Sequence, residues 1–189
     1  MKYFLDCGSN LGQGFDYFKK MYGDNYQYTL FEPNIMCYNE LVKKYSSLKN
    51  VEILNKAVFT ENIVKTFRFD KNNVFTPGGS LIEKHNSNVK IDFEEHQVQC
   101  VDLIEIIESL YENESEIIIK MDVESAEYDI LEKLIDKKTI FKVEKMYIEF
   151  HSQFMNDDDK KLFVPREQNI ENFIRVNNIN VNFIPWDWR

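Results

Sequence analysis

Long apolar runs are missing from this chain of 189 residues. No stretch reaches the roughly 18 apolar residues a membrane helix needs, so membrane insertion is not expected. Positive charge is in deficit as well: 23 Lys and Arg face 32 Asp and Glu, for a formal net charge of −9. A nucleic-acid groove draws its affinity from clustered Lys and Arg, so no nucleic-acid partner is expected. Cysteine is scarce and odd in number. Cys7, Cys37 and Cys100 match no metal-binding spacing and read as free thiols of a reducing compartment, with Cys7 as a small packing residue rather than a nucleophile. The first residues are already strand-like, which predicts no signal peptide, and Trp186-Asp187-Trp188-Arg189 carries no sorting signal. The expected location is the cytoplasm. Repeats, low-complexity tracts and linkers are also missing, so residues 1–189 are expected to form one domain.

What is present is the mixture of an ordinary globular protein, 43% hydrophobic with 29% charged, which at this length buries a core without a disulfide or metal staple. Strand and helix patterns alternate. Tyr3–Cys7 reads as a strand, and Gly12–Tyr22 as a helix with Phe15, Phe18 and Tyr22 on one face. Tyr28–Phe31 is a second strand, and Asn34 caps a helix reaching Tyr45. Val51–Val58 reads as a third strand and Thr66–Asp70 as an added hairpin strand. Residues 71–95 carry turn chemistry, including Thr76-Pro77-Gly78-Gly79-Ser80. Val98–Val101 follows as a short strand, then a helix from Asp102 to Tyr111. Ile117–Met121 is a continuous apolar strand of the buried parallel kind. A helix over Ala126–Ile135, a strand over Met146–Phe150, a helix over Glu167–Val176 and a strand over Val181–Ile184 complete the pattern. Asp157-Asp158-Asp159 reads as a solvated loop or helix start. The fold class is therefore α/β: a mostly parallel, Rossmann-like central sheet with helices on both faces.

Asp6-Cys7-Gly8-Ser9-Asn10-Leu11-Gly12 follows the first strand and opens the first helix, the place where open α/β sheets bind ligands. Gly8 and Gly12 give G-x-x-x-G, which departs from the G-x-G-x-x-G of dinucleotide enzymes. Asp6 at the strand end repels a pyrophosphate and attracts a cationic sulfonium or ammonium, favouring S-adenosylmethionine over NAD. Glu32, ending the second strand, can accept hydrogen bonds from both ribose hydroxyls. Taken singly, Asp6 reads as a turn residue and Glu32 as a surface acid; one βαβ step apart they point to nucleoside binding. Ala57 leaves room for an adenine ring, although plain packing explains it nearly as well. An NAD-dependent oxidoreductase and a catalytically silent binding domain remain alternatives on this fold.

Several segments together resemble the FkbM-type branch of the class I S-adenosylmethionine-dependent methyltransferases. They are Phe4 to Gly12, Phe31-Glu32-Pro33-Asn34, Asn55-Lys56-Ala57-Val58, Gly79-Ser80-Leu81, Ile119-Lys120-Met121-Asp122-Val123-Glu124-Ser125-Ala126-Glu127-Tyr128, and Ile148-Glu149-Phe150-His151. The family has glycine where this chain has Ser125, a small residue able to cap a helix. The resemblance implies O-methyl transfer to a sugar or glycan hydroxyl, with Asp6, Gly8, Ser9, Asn10, Gly12, Glu32, Pro33, Asn34 and Ala57 holding S-adenosylmethionine. Because many class I enzymes carry an N-terminal helical lid and Met1 is close to the first strand, a neighbouring domain or subunit is expected to supply one, for instance glycosyltransferase domains of a longer chain.

A sugar hydroxyl is a weak nucleophile and needs a base or a metal to take its proton. Asp122 ends one strand and Glu149 and His151 end the next, where alternation puts Glu149 and His151 on one side and Phe150 on the other. These three are the catalytic candidates, with His151 as the base because its ordinary pKa lies near working pH. Asp122, Glu149 and His151 can equally hold a divalent cation such as Mg or Mn. Ser80, Lys120 and Glu124 are candidate substrate contacts, with Lys120 alternatively neutralising Glu124. Residues 71–95 are a candidate lid hinged at Gly78-Gly79. His85 and His96, within the irregular region, are expected at the surface.

Overall fold

A computed structural model describes residues 1–75, 78–112 and 115–183. Thr76, Pro77, the end of the last expected strand at Ile184 and the Trp186–Arg189 tail lie outside these residues. The strands are β1 (Lys2–Cys7), β2 (Gln27–Phe31), β3 (Val51–Leu54), β4 (Ala57–Phe59), β5 (Val64–Asp70), β6 (Phe93–Asp102), β7 (Glu116–Met121), β8 (Lys145–Ile148) and β9 (Val181–Phe183). The helices are α1 (Gln13–Tyr22), α2 (Ile35–Tyr45), α3 (Leu103–Leu110), α4 (Glu127–Asp136) and α5 (Asp157–Val176). No helix among the described residues is long and apolar enough to cross a membrane.

Six strands form a parallel sheet in the order β3-β2-β1-β7-β8-β9. This is the Rossmann-like arrangement. The chain runs outward from β1 to β3, then returns to β7 on the other side of β1. That reversal opens a crevice at the carboxyl ends of β1 and β7, where ligands bind in such sheets.

Alternation along the strands explains the two buried layers. Phe4 and Ile118 face one side of the sheet with Phe15, Phe18, Tyr28, Leu41 and Tyr147. Their neighbours Leu5, Ile117 and Ile119 face the other side, with α4, α5 and the second sheet. The first layer is aromatic: Phe18 is wholly buried, its ring centroid 5.0 Å from Phe4 and 4.6 Å from Tyr147. Cys7, Cys37 and Cys100 are all free and buried, and burial raises each thiol's pKa, as suits packing residues.

Three elements differ from the sequence pattern. The expected strand over Val51–Val58 breaks at Asn55. The Asn55 side-chain amide donates to the carbonyls of Glu32 and Pro33 at 2.9 and 3.0 Å, turning the chain out of the sheet after Leu54. Ala57–Phe59 then pairs with β6 in a separate sheet of order β4-β6-β5. Strand β6 begins at Phe93, well before Val98, because its first half is an exposed arm that pairs antiparallel with β5 and carries no apolar alternation. Helix α5 begins at Asp157 rather than near Glu167. The Asn156 side chain accepts the Asp158 and Asp159 N–H groups at 3.0 and 2.9 Å, and the acid run lies at the positive end of the helix dipole. Pro165 sits inside this helix.

Phe18→Ala should lower the unfolding free energy by about 3–5 kcal/mol, the cost of emptying a fully buried aromatic site. A urea unfolding curve measures it, and a loss below about 1 kcal/mol would mean that the layer closes around the gap.

Candidate functional site

The turn after β1 is clamped from three directions. Gly8 and Ser9 N–H groups both donate to the Phe31 carbonyl at 3.1 and 3.0 Å, tying the turn to the end of β2. Gly8 adopts φ +83°, and a Cβ there would overlap the Asp122 carbonyl, so only glycine lets the turn lie against the end of β7. Gly12, at φ +91°, is pressed in the same way against the Tyr45 ring. From the third direction, Lys120 donates to the Gly8 carbonyl at 2.5 Å.

Lys120 is buried, with its ammonium 3.3 Å from Asp6 and 3.4 Å from Asp122. Burial opposes its charge, but the two carboxylates outweigh it and raise the Lys120 pKa. Asp6 is wholly buried behind the turn, and neither carboxylate oxygen has a well-aligned hydrogen bond despite the nearby ammonium. Burial therefore raises its pKa, with Lys120 acting against the rise. Asp6 thus acts on Lys120 and the turn from behind the wall of the crevice.

Glu32 closes the other side. Its two oxygens accept the Asn10 N–H at 2.7 Å and the Asn34 N–H at 2.8 Å. Burial pushes its carboxyl up to about 7, against the lowering effect of those two N–H groups. Asn34 also caps α2, accepting the Met36 N–H at 3.0 Å, as the sequence pattern predicts.

Two cavities meet here. The first is lined by Glu32, Pro33 and Asn34, with apolar walls from Phe31, Ala57, Val58, Phe67, Leu81 and Val123. The second carries more charged side chains, bordered by Lys120, Glu149, His85 and His151 with Phe75 and Phe154. Gly8, Asn10, Asp122 and Glu124 border both. Ser9 and Leu11 belong to the second, as do Gln13 and Gly14 at the start of α1, whereas Gly12 packs on Tyr45 and is in the lining of neither.

The segment after β7 is strained: Glu124 and Ser125 have φ +52° and +78° in succession. Ser125 occupies a left-handed position that glycine adopts at no cost. It does not cap α4, whose N-cap is Ala126. Its hydroxyl instead lies 2.9 Å from His85 Nδ1, which binds the 71–95 segment to the strand end. His85 is consequently buried, 4% exposed, and not a surface residue; an apolar periodicity is no guide to a ring buried by a loop. His96 is half-exposed beside Glu94 at 2.7 Å.

Ser80 is likewise an anchor. It pairs with Arg68 through both backbone groups at 2.9 and 2.8 Å, and its hydroxyl donates to the Glu124 carbonyl. That occupies the side chain expected to reach substrate. Gly79 has its α-carbon against the Phe67 ring with no room for a Cβ, so packing requires glycine there.

Asp122, Glu149 and His151 do converge, with one ligand-type atom from each within 4.8 Å of the others. Strand β8 stops at Ile148, but the alternation continues: Glu149 and His151 face the second cavity while Phe150 stacks on Tyr128. His151 Nε2 lies 3.4 Å from both Asp122 and Glu124. Glu127 Oε1 accepts the His151 N–H at 3.1 Å and stands 3.1 Å from Nδ1. Burial acts to lower the His151 pKa, but Glu127, Glu124 and Asp122 raise it well above its ordinary value. The free ring therefore holds its proton more firmly than an ordinary imidazole does. Burial pushes the Glu149 carboxyl up to about 7, with Asp122 adding to the rise.

Glu127 and His85 have no assigned role in the sequence pattern. Glu127 has a visible signal, since it shares the spacing of Ile130, Leu131 and Leu134 on the buried face of α4. An acid on such a face requires a buried partner.

The model of the methyltransferase FkbM domain matches residues 6–177 of this chain. The chain belongs to the FkbM methyltransferase family. No curated protein and no solved structure matches alongside it. Within this FkbM domain the matched span covers the glycine turn, Glu32, the strained segment after β7 and the Glu149–His151 strand end.

Gly8→Ala should destabilise by about 2–5 kcal/mol, combining a left-handed side chain with displacement of the β7 end. Chemical denaturation reads this, and a neutral result would show that the turn can stand away from Asp122.

Proposed function

We propose that this FkbM domain is an S-adenosylmethionine-dependent O-methyltransferase acting on a hydroxyl of a sugar or glycan. The observation that carries the reading is the joining of an apolar-walled cavity lined by Glu32 to a second one lined by charged residues, with Asp122 and Glu124 bordering both. Each Glu32 oxygen accepts a single backbone N–H. A carboxylate has about four acceptor sites, so two remain for ribose hydroxyls. Ala57, Val58 and Leu81 supply apolar surface for a purine ring. Asp122 and Glu124, shared by both cavities, put negative charge where a sulfonium would be held.

S-adenosylmethionine supplies an electrophilic methyl group when bound. The protein's own residues orient the acceptor and receive its proton. A hydroxyl in the second cavity meets the Asp122 and Glu149 carboxylates; Asp122 accepts its hydrogen bond, and Glu149, with its pKa raised to about 7, takes its proton as the oxygen–methyl bond forms. Lys120 fixes Asp122 so that its carboxylate holds one position, and positioning supplies much of the rate gain in a displacement of this kind. Phe75 and Phe154 give the flat apolar surface on which a sugar ring can rest.

Titration calorimetry should show binding of S-adenosylhomocysteine and none of NAD; the reverse result overturns the cofactor assignment. Methyl transfer to a panel of free sugars tests the acceptor, and transfer to none of them, with a nitrogen or carbon acceptor methylated instead, rules out the hydroxyl reading.

Glu32 provides a pH test. Its pKa of about 7 means that the ionised carboxylate, with its full set of acceptors, prevails above that pH. S-adenosylhomocysteine affinity should accordingly fall as pH drops, by about ten-fold at pH 6 if only the ionised form binds. In Glu32→Gln the affinity should be lower at neutral pH and the pH slope should vanish. A slope that survives the substitution assigns the titration to another group.

A further inference from the structure

We propose that Asp122, Glu149 and His151 form a binding site for one divalent first-row transition-metal ion, oriented by the buried carboxylate of Glu127. The three ligand atoms lie within 4.8 Å of one another on the wall of the second cavity. His151 Nε2 stands 3.4 Å from Asp122 Oδ1. That is longer than the usual N–H···O bond. It is the separation of about 3–3.4 Å that two ligands keep around an ion with bonds near 2.1 Å. Opposite ligands of such an ion are about 4.2 Å apart, so the partly exposed Glu149 carboxylate needs only a small side-chain rotation to join.

The ring behind the site is held as metal-binding imidazoles are. Glu127 is wholly buried and takes the Nδ1 side of His151 together with its backbone N–H, which fixes the ring plane and leaves Nε2 to face the cavity. A carboxylate behind a histidine in this way sets its tautomer and strengthens it as a ligand. Metal binding displaces the ring proton from Nε2 to solvent. The free Glu127 Oε2 has no hydrogen-bond partner.

A second histidine points the same way. His85 is buried, borders the same cavity, and is held through Nδ1 by Ser125. Its Nε2 lacks an aligned hydrogen bond, although Glu124 Oε2 lies 2.9 Å away. Glu124 thus stands between the two rings, 2.9 Å from His85 Nε2 and 3.4 Å from His151 Nε2. A mixed imidazole and carboxylate set suits manganese, iron, cobalt or zinc better than magnesium, which prefers oxygen ligands alone. At that place the ion would lower the pKa of a bound hydroxyl.

The test uses the full chain freed of metal by a chelator and titrated with Mn²⁺, Zn²⁺ and Mg²⁺, followed by calorimetry and by the Mn²⁺ electron paramagnetic signal. The expected result is about one Mn²⁺ or Zn²⁺ per chain, bound more tightly than Mg²⁺. Glu149→Gln and His151→Asn should abolish saturable binding. Glu127→Gln, which keeps the shape but touches no ion, should weaken it by about 10–100-fold. Thermal melting confirms that each variant is folded, and Glu149→Gln, at a partly exposed position, serves if His151→Asn is not. No saturable binding in the folded parent, or binding that folded Glu149→Gln leaves unchanged, overturns the site. Mg²⁺ bound as tightly as Mn²⁺ overturns the choice of metal class. S-adenosylhomocysteine binding is read separately, so loss of one result does not stand for loss of the other.

Discussion

The Lys120 ammonium is the point on which the crevice is built. Two strands adjacent at the sheet's reversal bring carboxylates to their ends, Asp6 on β1 and Asp122 just past β7, and both are drawn into the space that the glycine turn covers. Left alone, buried carboxylates of this kind would repel each other and take up protons. One lysine between them lets Asp122 remain ionised at the cavity edge: burial would raise its pKa, but Lys120 and His151 bring it down to about 2. The same ammonium binds the Gly8 carbonyl and so sets the height of the turn above the sheet. Charge balance and backbone course are therefore one constraint, and the apolar strand Ile117–Met121 contains its only charged residue where that constraint requires it.

From this centre the site extends through backbone conformations that cost energy. Glu124 and Ser125 are both left-handed, at about 1–2 kcal/mol per residue of this kind. The surrounding structure holds them there. Ser80 binds the Glu124 carbonyl, and His85 binds the Ser125 hydroxyl, so the 71–95 segment is fastened to the strand end at two points. What reads as a lid is, among its described residues, largely wall. The strain turns the Glu124 carboxylate toward the cavity, and the serine that departs from the family glycine is used to fix a buried histidine.

The legible part of the site is the part carried by period and position. Asp6, Glu32, Asp122, Glu149 and His151 stand out because they cluster at the ends of short strands, two of which stop at a glycine or proline turn, and because side chains alternate sides. The cavity-lining place of Ala57 follows from the same logic, even though its strand belongs to the second sheet. The illegible part depends on what a side chain meets across the fold. Asn55 looks like one more strand residue until its amide is seen to hold two carbonyls of a neighbouring loop. His85 looks like a surface residue because nothing local buries it. His151 looks like a base because its ordinary pKa suits one, whereas Asp122, Glu124 and Glu127, from the segment after the neighbouring strand, raise that pKa well above its ordinary value.

The sequence by itself determined the α/β order, the parallel sheet, the glycine turn at β1 and the acids at the strand ends, because each follows from local pattern and from the handedness and alternation of the backbone. Tertiary structure alone decided electrostatics and restraint: which carboxylate faces Lys120, which ring lies among carboxylates, which loop is fixed. Those are set by burial and by charges a few ångströms away that lie tens of residues apart along the chain. Electrostatic energy depends on distance and on the exclusion of water, and neither is written in the spacing of residues.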